Sequence, residues 1–235
     1  MITVDNITVR FGGVVALSGV SAEFTAPVAG IIGPNGAGKT TLMNVVSGFV
    51  QAAEGRIVHD GTDLLRLSPH RRARWGLRRS FQKEEVADDL TAHENVLVQT
   101  DHARGAGRGE EAGRLLELVG LADRAHVLGR ELTGFERRLV DVARCMAGNP
   151  RLVMFDEPAG GLSMEETKRL GALLRDIHAQ TGAQTLLIDH DVELIAEVCE
   201  EVLVLDFGKR IAFGPTDAVL ADPKVKAAYL GTEEV

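Results

Sequence analysis

Cysteines and aromatic residues are scarce in this chain of 235 residues. It has two cysteines, one tryptophan and one tyrosine, and aromatic residues make up 4% of it. Two cysteines are too few for a disulfide framework or a four-cysteine zinc site, and both Cys145 and Cys199 fall in apolar helical patterns. We therefore expect buried free thiols in a protein of a reducing compartment.

The chain also lacks long apolar runs and an excess of positive charge. It has no stretch of about 18 apolar residues, so no membrane span is predicted. The first ten residues lack the apolar core of a signal peptide. The net charge of −8 argues against a nucleic-acid partner. With 45% hydrophobic residues, the composition suits one globular domain, or a core with a small subdomain.

The strongest positive signal is a glycine-rich loop at residues 33–40, which read GPNGAGKT. It matches the complete phosphate-binding pattern G-x-x-x-x-G-K-[ST]. An apolar run at 29–32 predicts a buried strand before the loop, and apolar residues at helical spacing predict a helix over 41–50. In that setting Lys39 reaches the terminal phosphates of a nucleotide and the Thr40 hydroxyl ligates Mg²⁺. The loop therefore predicts a nucleoside triphosphate site.

Two acidic residues follow another apolar run. Leu152 to Phe155 reads as a buried strand, and Asp156 and Glu157 come directly after it. Ligands bind at the carboxyl ends of strands in open α/β folds, so we expect Asp156 to hold Mg²⁺ opposite Thr40. Glu157 is placed to take a proton from an attacking water. The alternative, a pair of solvated loop acids, loses weight beside a phosphate loop.

Three further candidates carry less signal. His190 follows the apolar run Thr185 to Ile188 and suits a contact with the γ-phosphate or water, although a lone histidine at a strand end is more often structural. Gln82 suits a contact with Mg²⁺ or water. Phe11 suits stacking on adenine, and core packing is its simpler explanation.

The first part of the chain reads mainly as strands. Residues 1–32 alternate as strands do, and 51–62 read as a hairpin with turn signals at Gly55 and at 60–61. The arginine-rich stretch 66–79 suggests nucleic acid or anionic lipid, but a solvated helix leading into a strand explains it better against the net charge.

The second part changes periodicity. Helical patterns dominate 84–130, with a flexible loop predicted over 105–113. From 131 onward, continuous apolar strands alternate with helices, which indicates a parallel sheet covered on both faces. We predict one domain with an α/β core at 1–83 and 131–235 and a helical insert between them.

Taken together, these motifs resemble the ATP-binding subunit of ABC transporters. The phosphate loop, Gln82, a segment LTGFE at 132–136, the pair Asp156-Glu157 and His190 occur in the family's order over nearly the whole chain. The LTGFE segment stands where the family carries its LSGGQ signature. The resemblance implies the family's L-shaped α/β fold: a P-loop NTPase with a RecA-like core, an antiparallel β piece and a helical subdomain.

The resemblance also assigns roles within an ATP-hydrolysing dimer. Two subunits would close head to tail, so that each ATP lies between one phosphate loop and the partner's signature. Adenine stacking falls to Phe11, base catalysis to Glu157 and the γ-phosphate contact to His190. The Mg²⁺ ligands would be Thr40, Gln82 and Asp156. The phosphate contacts would come from Gly33, Asn35, Gly36, Ala37, Gly38, Lys39, Thr40 and Thr41.

The signature departs from the family pattern. Thr133 keeps a hydroxyl and Gly134 keeps the first glycine, but Phe135 replaces the second glycine and Glu136 replaces glutamine. The ring is expected to obstruct the approach of backbone to the partner's γ-phosphate, and Glu136 to place an anion near it. We therefore expect a heterodimer with one strong and one weak ATP site, although a homodimer stays open.

Finer features resemble the branched-chain amino-acid importer branch. The matching segments are 11–13 with 16–17, 79–82, 90–96, 158–162 and 229–231. The lipopolysaccharide-export ATPase branch shares several of them, including a Glu at position 136. The importer branch implies membrane permease subunits, a binding protein and a location on the inner face of the cell membrane.

The permease would dock a short helix just after Gln82. Apolar side chains in 83–100 suit such a groove, and core packing explains them equally. They are Val86, Leu90, Val96 and Leu97.

Two other function classes stay open. One is an ATP-gated regulatory subunit that hydrolyses poorly, which Phe135 favours and Glu157 and His190 oppose. The other is a soluble ABC ATPase of DNA repair or translation, opposed by the lack of a coiled-coil insert, a tandem cassette or a basic surface. A GTPase is excluded because no N-K-x-D motif occurs.

Overall fold

The computed structural model describes residues 1–82, 85–100 and 107–230, without the side chains of 229 and 230. Parts of three predictions therefore lie outside the described residues: the closing motif at 229–231, the start of the loop at 105–106 and residues 83–84 of the docking segment. The strands are β1 Ile2–Phe11, β2 Val14–Phe24, β3 Val28–Ile32, β4 Glu54–His59, β5 Thr62–Asp63, β6 Leu77–Arg79, β7 Leu152–Asp156, β8 Gln184–Ile188, β9 Glu201–Asp206 and β10 Lys209–Pro215.

Helices of varied length connect these strands. They are α1 Lys39–Ser47, α2 Pro69–Trp75, α3 Ala92–Leu97, α4 Arg108–Leu118, α5 Gly134–Met146, α6 Met164–Thr181, α7 Val192–Val198, α8 Thr216–Ala221 and α9 Pro223–Val225. Short 3₁₀ turns occur at Leu64–Arg66, Val98–Thr100, Ala122–Arg124 and Gly129–Glu131, and a π-helical turn at Lys226–Leu230. None of the helices in the described part of the chain combines the length and hydropathy that a bilayer span requires.

The strands form two sheets. An antiparallel sheet has the order β2-β1-β4-β5, and a six-stranded sheet has the order β10-β9-β3-β8-β7-β6. Strands β9, β3, β8, β7 and β6 of the second sheet run parallel, and β10 pairs antiparallel at its edge. The prediction of a parallel sheet from continuous apolar strands is confirmed, since every residue of β3, β7 and β8 is buried. The parallel order brings the carboxyl ends of β3, β6, β7 and β8 to one edge of the sheet. The segments that follow these four strands carry the predicted site residues.

The six-stranded sheet separates two hydrophobic clusters. One cluster includes the antiparallel sheet and α1, and the other combines α3 to α7 on the opposite face. Helix α5 begins beyond residue 131 but contacts both α3 and α4, and it also reaches β6 and α6. The division of the chain at residues 84 and 131 stays a prediction.

The predicted flexible loop at 105–113 is wrong from residue 108 onward, because α4 begins there. Glu110 and Glu111 lie in its first turn, where acidic side chains favour the helix dipole. Ala112, Leu115 and Leu116 are buried on one face. Burial of that face outweighs the low helix propensity of the glycines in this segment.

One of the two turn signals in the 51–62 hairpin is wrong. The turn at Asp60-Gly61 joins β4 to β5, with His59 opposite Thr62. Gly55 lies within β4 at φ +102°, where a Cβ would come within 2.5 Å of the Asp5 and Asn6 carbonyl oxygens. This glycine therefore allows β4 to approach β1 at an irregular point of their pairing.

The arginine-rich stretch 66–79 forms the predicted helix and strand, but only part of it is solvated. Arg72 is 4% exposed and donates to the carbonyls of Leu67, Val45 and Val46. Arg78 is 8% exposed and donates to four carbonyl oxygens. These guanidinium groups pair with main-chain carbonyls that helix ends leave open, so they serve the core rather than an anionic partner.

His59 makes stability depend on pH. Its ring is 2% exposed and packs edge-on against Trp75, with a centroid distance of 5.2 Å. Burial lowers the pKa of His59, and the nearby N-terminus and Arg151 add to this, while Asp60 opposes it. A lowered folded-state pKa means that the unfolded chain binds the proton more readily. We expect the free energy of unfolding to fall as pH drops from 7 to 5, beginning near the unfolded-state pKa of about 6.5.

Urea unfolding at several pH values measures this effect. The variant His59→Gln should lose part of the slope of unfolding free energy against pH, whereas His126→Gln, at an exposed histidine, should keep it. Equal slopes in the wild type and His59→Gln would contradict the assignment.

Candidate ATP site

The glycine-rich loop is shaped by close backbone contacts. It links β3 to α1, and Gly33 and Gly38 adopt φ values of +145° and +103°. A Cβ on Gly33 would lie 2.0 Å from the Leu205 carbonyl oxygen, and one on Gly38 would lie 2.7 Å from the Leu17 side chain. Only glycine therefore fits at either position, and the loop curls tightly around the N-terminus of α1.

The side chain of Lys39 reaches back across this loop from the start of α1. Its side-chain amine donates to the carbonyl oxygens of Gly33, at 2.6 Å, and Pro34, at 3.0 Å, and the residue is 5% exposed. Burial lowers the pKa of Lys39, while the charges of Glu157 and Asp156 oppose that shift. A phosphate oxygen carries more negative charge than a carbonyl and binds an ammonium group more strongly. The loop thus holds a desolvated cation at the place where a triphosphate would lie.

A cavity of 170 Å³ opens over the loop. It is lined by Ala16, Asn35, Gly36, Ala37, Gly38, Lys39, Thr40, Thr41 and Glu157. Most of the predicted phosphate contacts are thus brought together with the predicted catalytic base, although Phe11 is not among the lining residues.

Glu157 is held by both of the weaker catalytic candidates. The Gln82 amide donates to its Oε2 at 2.6 Å, and His190 Nε2 lies 2.7 Å from its Oε1. Glu157 has φ +54° and donates its backbone N–H to the Ile188 carbonyl at 2.7 Å. A left-handed conformation in a residue other than glycine costs about 1 kcal/mol or more and is common at functional sites. The fold thus directs this carboxylate toward the phosphate loop.

Asp156 is buried at the end of β7 and forms an ion pair that the sequence did not predict. Its Oδ2 accepts from Arg79 at 2.8 Å, and the two side chains are 8% and 5% exposed. Arg79 also donates to Asn44 and Ser47 of α1. Arg79 ends the short strand β6, whose sequence Leu-Arg-Arg gives no apolar run that would single out one arginine.

Asp189 is a third acid at this edge of the sheet, and no role was predicted for it. It is 4% exposed and accepts from the backbone N–H groups of Ala159 and Asp191. Burial raises the pKa of Asp189. The residue joins the segment after Glu157 to the segment that carries His190, so it fixes their relative position.

The donor atoms near the loop fit Mg²⁺ bound together with a nucleotide. Thr40 offers a hydroxyl in the cavity, Asp156 a carboxylate and Gln82 an amide oxygen, all hard oxygen donors. In the described part of the chain, no group of three or more His, Cys, Asp or Glu could hold a metal. Mg²⁺ is typically held by one or two carboxylates plus phosphates and water, and the Asp156 carboxylate with the Thr40 hydroxyl and the Gln82 amide oxygen suits that arrangement.

The segment 132–136 starts helix α5. Thr133 caps the helix: its hydroxyl accepts from the Glu136 N–H at 3.2 Å, and Glu136 accepts from the Thr133 N–H at 2.8 Å. Arg124 also binds the Glu136 carboxylate at 2.9 Å. Burial alone would raise the pKa of Glu136, but the contacts with Thr133 and Arg124 outweigh it and hold the pKa below its usual value. The expected anion is present but paired, which reduces its repulsion of a neighbouring phosphate.

The Phe135 ring lies against the fold. It is half-buried, packs on the cluster that contains α5 and has the Arg169 guanidinium 5.4 Å from its centroid. Its backbone is helical, so this position needs no glycine-like conformation in the chain itself. The obstruction of a partner's phosphate stays a prediction.

Comparisons with known proteins agree with this geometry. The family model for ABC transporters matches residues 17–160, which span the loop, Gln82, the segment 132–136 and both acids. The chain belongs to the ABC transporter ATP-binding family. A second model, of the branched-chain amino acid ATP-binding cassette transporter, matches residues 209–235.

Full-length relatives of this ABC ATPase support the assignment. BraF of Pseudomonas aeruginosa, a high-affinity branched-chain amino acid transport ATP-binding protein, is 35% identical over 98% of both chains. LptB of Haemophilus influenzae, a lipopolysaccharide export system ATP-binding protein, is 32% identical over 99% of this chain and 98% of its own. The ADP conformation of MJ1267, an ATP-binding cassette of an ABC transporter, superposes with a TM-score of 0.88 at 29% identity, covering 98% of both chains.

Two remaining predictions for this ABC ATPase concern the exposure of Phe11 and of the two cysteines. Phe11 is 52% exposed at the end of β1, as an adenine platform requires, and it is not a core residue. Cys145 and Cys199 are buried free thiols, as expected, and burial raises the pKa of Cys199 to about 12.

The docking of a permease helix just after Gln82 stays a prediction, but a groove takes part of its lining from that segment, at Glu85 and Gln99. A cavity of 380 Å³ is lined by Ser47, Phe49, Pro69, Ala73, Leu77, Arg78, Arg79, Phe81, Glu85, Gln99, Asp141, Arg144 and Cys145. None of the four predicted apolar residues lines it, and Val86 and Val96 belong to the core. Helical periodicity identified the buried face of this segment, whereas aromatic and charged residues form the groove.

Proposed function

We propose that this ABC ATPase powers the import of branched-chain or related amino acids through a separate membrane permease. The observation that carries the proposal is the match of residues 209–235 to the branched-chain amino acid cassette model, which comes in addition to the general cassette match. The similarity to BraF over 98% of both chains supports it. Lipopolysaccharide export is the second candidate, favoured by the similarity to LptB.

In the proposed mechanism, Lys39 and the backbone N–H groups of the loop hold the β- and γ-phosphates of ATP. Glu157 accepts a proton from a water as the water oxygen attacks the γ-phosphorus, and the bond to the ADP oxygen breaks. His190 and Gln82 orient the Glu157 carboxylate, to which both are bound in the structure. Mg²⁺, held by Thr40, Asp156 and Gln82, would neutralise charge on the phosphates.

The proposed complex sets this chain on the inner face of the cell membrane. Two ATP-binding subunits would close head to tail on two permease subunits, with a substrate-binding protein on the other side. The 380 Å³ groove suits a short permease helix, because Phe49 and Phe81 offer apolar surface and several arginines offer donors.

The signature suggests that the two ATP-binding subunits differ. We expect Phe135→Gly to raise ATP turnover of the complex, because backbone could then approach the partner's γ-phosphate. Loss of the half-buried ring and a glycine in α5 should cost about 2 kcal/mol and lower Tm by about 5 °C. Phe135→Leu, which keeps a side chain there, is the matched control. Equal turnover in Phe135→Gly and the wild type would contradict the two-site hypothesis.

Purification with native membrane partners tests the proposed function. Two different permeases, a second ATP-binding subunit and a substrate-binding protein in the mass spectrum, together with ATP-dependent uptake of labelled leucine into vesicles, would support amino-acid import. A homodimer on an export permease would instead place the chain in lipid export. Recovery without any membrane protein would remove transport altogether.

A further inference from the structure

Arg79 joins three parts of the ATP site through one guanidinium group. One nitrogen, Nη2, donates to Asp156 at 2.8 Å, and the other, Nη1, donates to Asn44 at 2.7 Å and Ser47 at 2.8 Å. Asn44 and Ser47 lie on α1, the helix that begins at Lys39. The carboxylate is thus tied to the helix of the phosphate loop by a cation that is itself nearly inaccessible to solvent.

The position of this cation opposes binding of a second one. Mg²⁺ at Asp156 would lie close to a fixed positive charge in an environment of low dielectric, where repulsion between cations is strong. Asp156 therefore has two competing partners, Arg79 without nucleotide and Mg²⁺ with it. This step rests on the proposed function, which makes Asp156 a Mg²⁺ ligand.

Arg79 also reaches the groove. Its guanidinium carbon lies 4.9 Å from the centroid of the Phe81 ring, which in turn contacts Phe49 at 6.1 Å between centroids. Arg79, Phe81 and Phe49 all line the 380 Å³ cavity. A partner element in this cavity would meet the same side chain that binds Asp156.

We propose that Arg79 is a positioning residue that holds Asp156 in competition with Mg²⁺, and that the permease helix seated in the groove draws it away from Asp156. Filling of the groove would then raise the affinity of the ATP site for the metal. Arg79 would thus connect the groove to the metal site electrostatically. This connection would act beside the contact between Gln82 and Glu157.

Mn²⁺ binding to the full-length chain with ADP, followed by electron paramagnetic resonance, tests the first half. Arg79→Met should lower the half-saturating Mn²⁺ concentration about tenfold, since a charge beside the metal is removed. Arg79→Lys keeps the positive charge, so its half-saturating Mn²⁺ concentration should remain near that of the wild type. Arg78→Met is the matched control, because Arg78 is a buried arginine of the same strand that binds only carbonyl oxygens in the described residues.

Several outcomes would overturn the proposal. An unchanged or raised half-saturating concentration in Arg79→Met would show a purely structural residue. If that variant does not fold, Asn44→Asp gives Arg79 a second carboxylate to bind and should also lower the half-saturating Mn²⁺ concentration. An unchanged concentration in Asn44→Asp would count equally against competition between Arg79 and the metal. Wild-type Mn²⁺ binding in Asp156→Asn would instead refute Asp156 as a metal ligand, and with it this part of the proposed function.

The complex tests the second half. In the wild type, the chain assembled on its permease should need less Mn²⁺ for half-saturation than the isolated chain. This difference should vanish in Arg79→Met. A difference of the same size in the variant would overturn the link between groove and metal site.

Discussion

Replacing Glu157 by glutamine is expected to lower the rate of ATP hydrolysis about 10²–10³-fold, the usual contribution of a positioned general base. The amide has the size of the carboxylate but cannot take the proton of the attacking water. Its oxygen can still accept the Gln82 amide hydrogen, so the local structure should persist. Formation of ADP by the complex, measured by chemical quench in single-turnover conditions, reports the chemical step directly.

ATP binding separates loss of chemistry from loss of structure. A fluorescent ATP analogue should bind Glu157→Gln at least as tightly as it binds the wild type, because one negative charge near the triphosphate is removed. The exposed acid Glu165 on α6 provides the matched control, and Glu165→Gln should keep wild-type turnover. Turnover of Glu157→Gln within a factor of about three of the wild type would remove Glu157 from its role.

The sequence predicted the residues of the ATP site better than their contacts. The glycine spacing predicted the loop because a φ of +145° at Gly33 leaves no room for a side chain. The apolar runs before Asp156 and His190 predicted strand ends, and parallel pairing brings such ends to one edge. These features depend on local chemistry and on one rule of topology, so they can be read from a single chain.

Features that depend on tertiary contacts escaped prediction. Arg79 was expected in a solvated stretch, yet Asp156, Asn44 and Ser47, all distant in sequence, account for its burial. Glu136 looked like an unpaired anion because Arg124 lies outside the signature. Periodicity shows which face of an element is buried, but not which side chain it meets. Val86 and Val96, which suited a groove and the core equally, lie in the core for that reason.

Replacing Lys39 by alanine is expected to weaken ATP binding about 10²–10⁴-fold. The side-chain amine now donates to two loop carbonyls at 2.6 and 3.0 Å, and phosphate oxygens would take their place. Two charge-assisted hydrogen bonds at about 1.5–3 kcal/mol each give a loss of this size. Equilibrium titration with a fluorescent ATP analogue measures it.

Burial of Lys39 adds a pH dependence to this prediction. The pKa of Lys39 is lowered by burial, so the amine loses its proton at a lower pH than an exposed lysine does. As pH rises, the ATP affinity of the wild type should therefore begin to decrease at a pH below about 10.4, the usual lysine pKa. Lys39→Ala should show no such decrease. Lys168→Ala, at an exposed lysine of α6, should match the wild type in both affinity and pH profile. Wild-type affinity in Lys39→Ala would mean that the backbone N–H groups and the dipole of α1 hold the triphosphate without it.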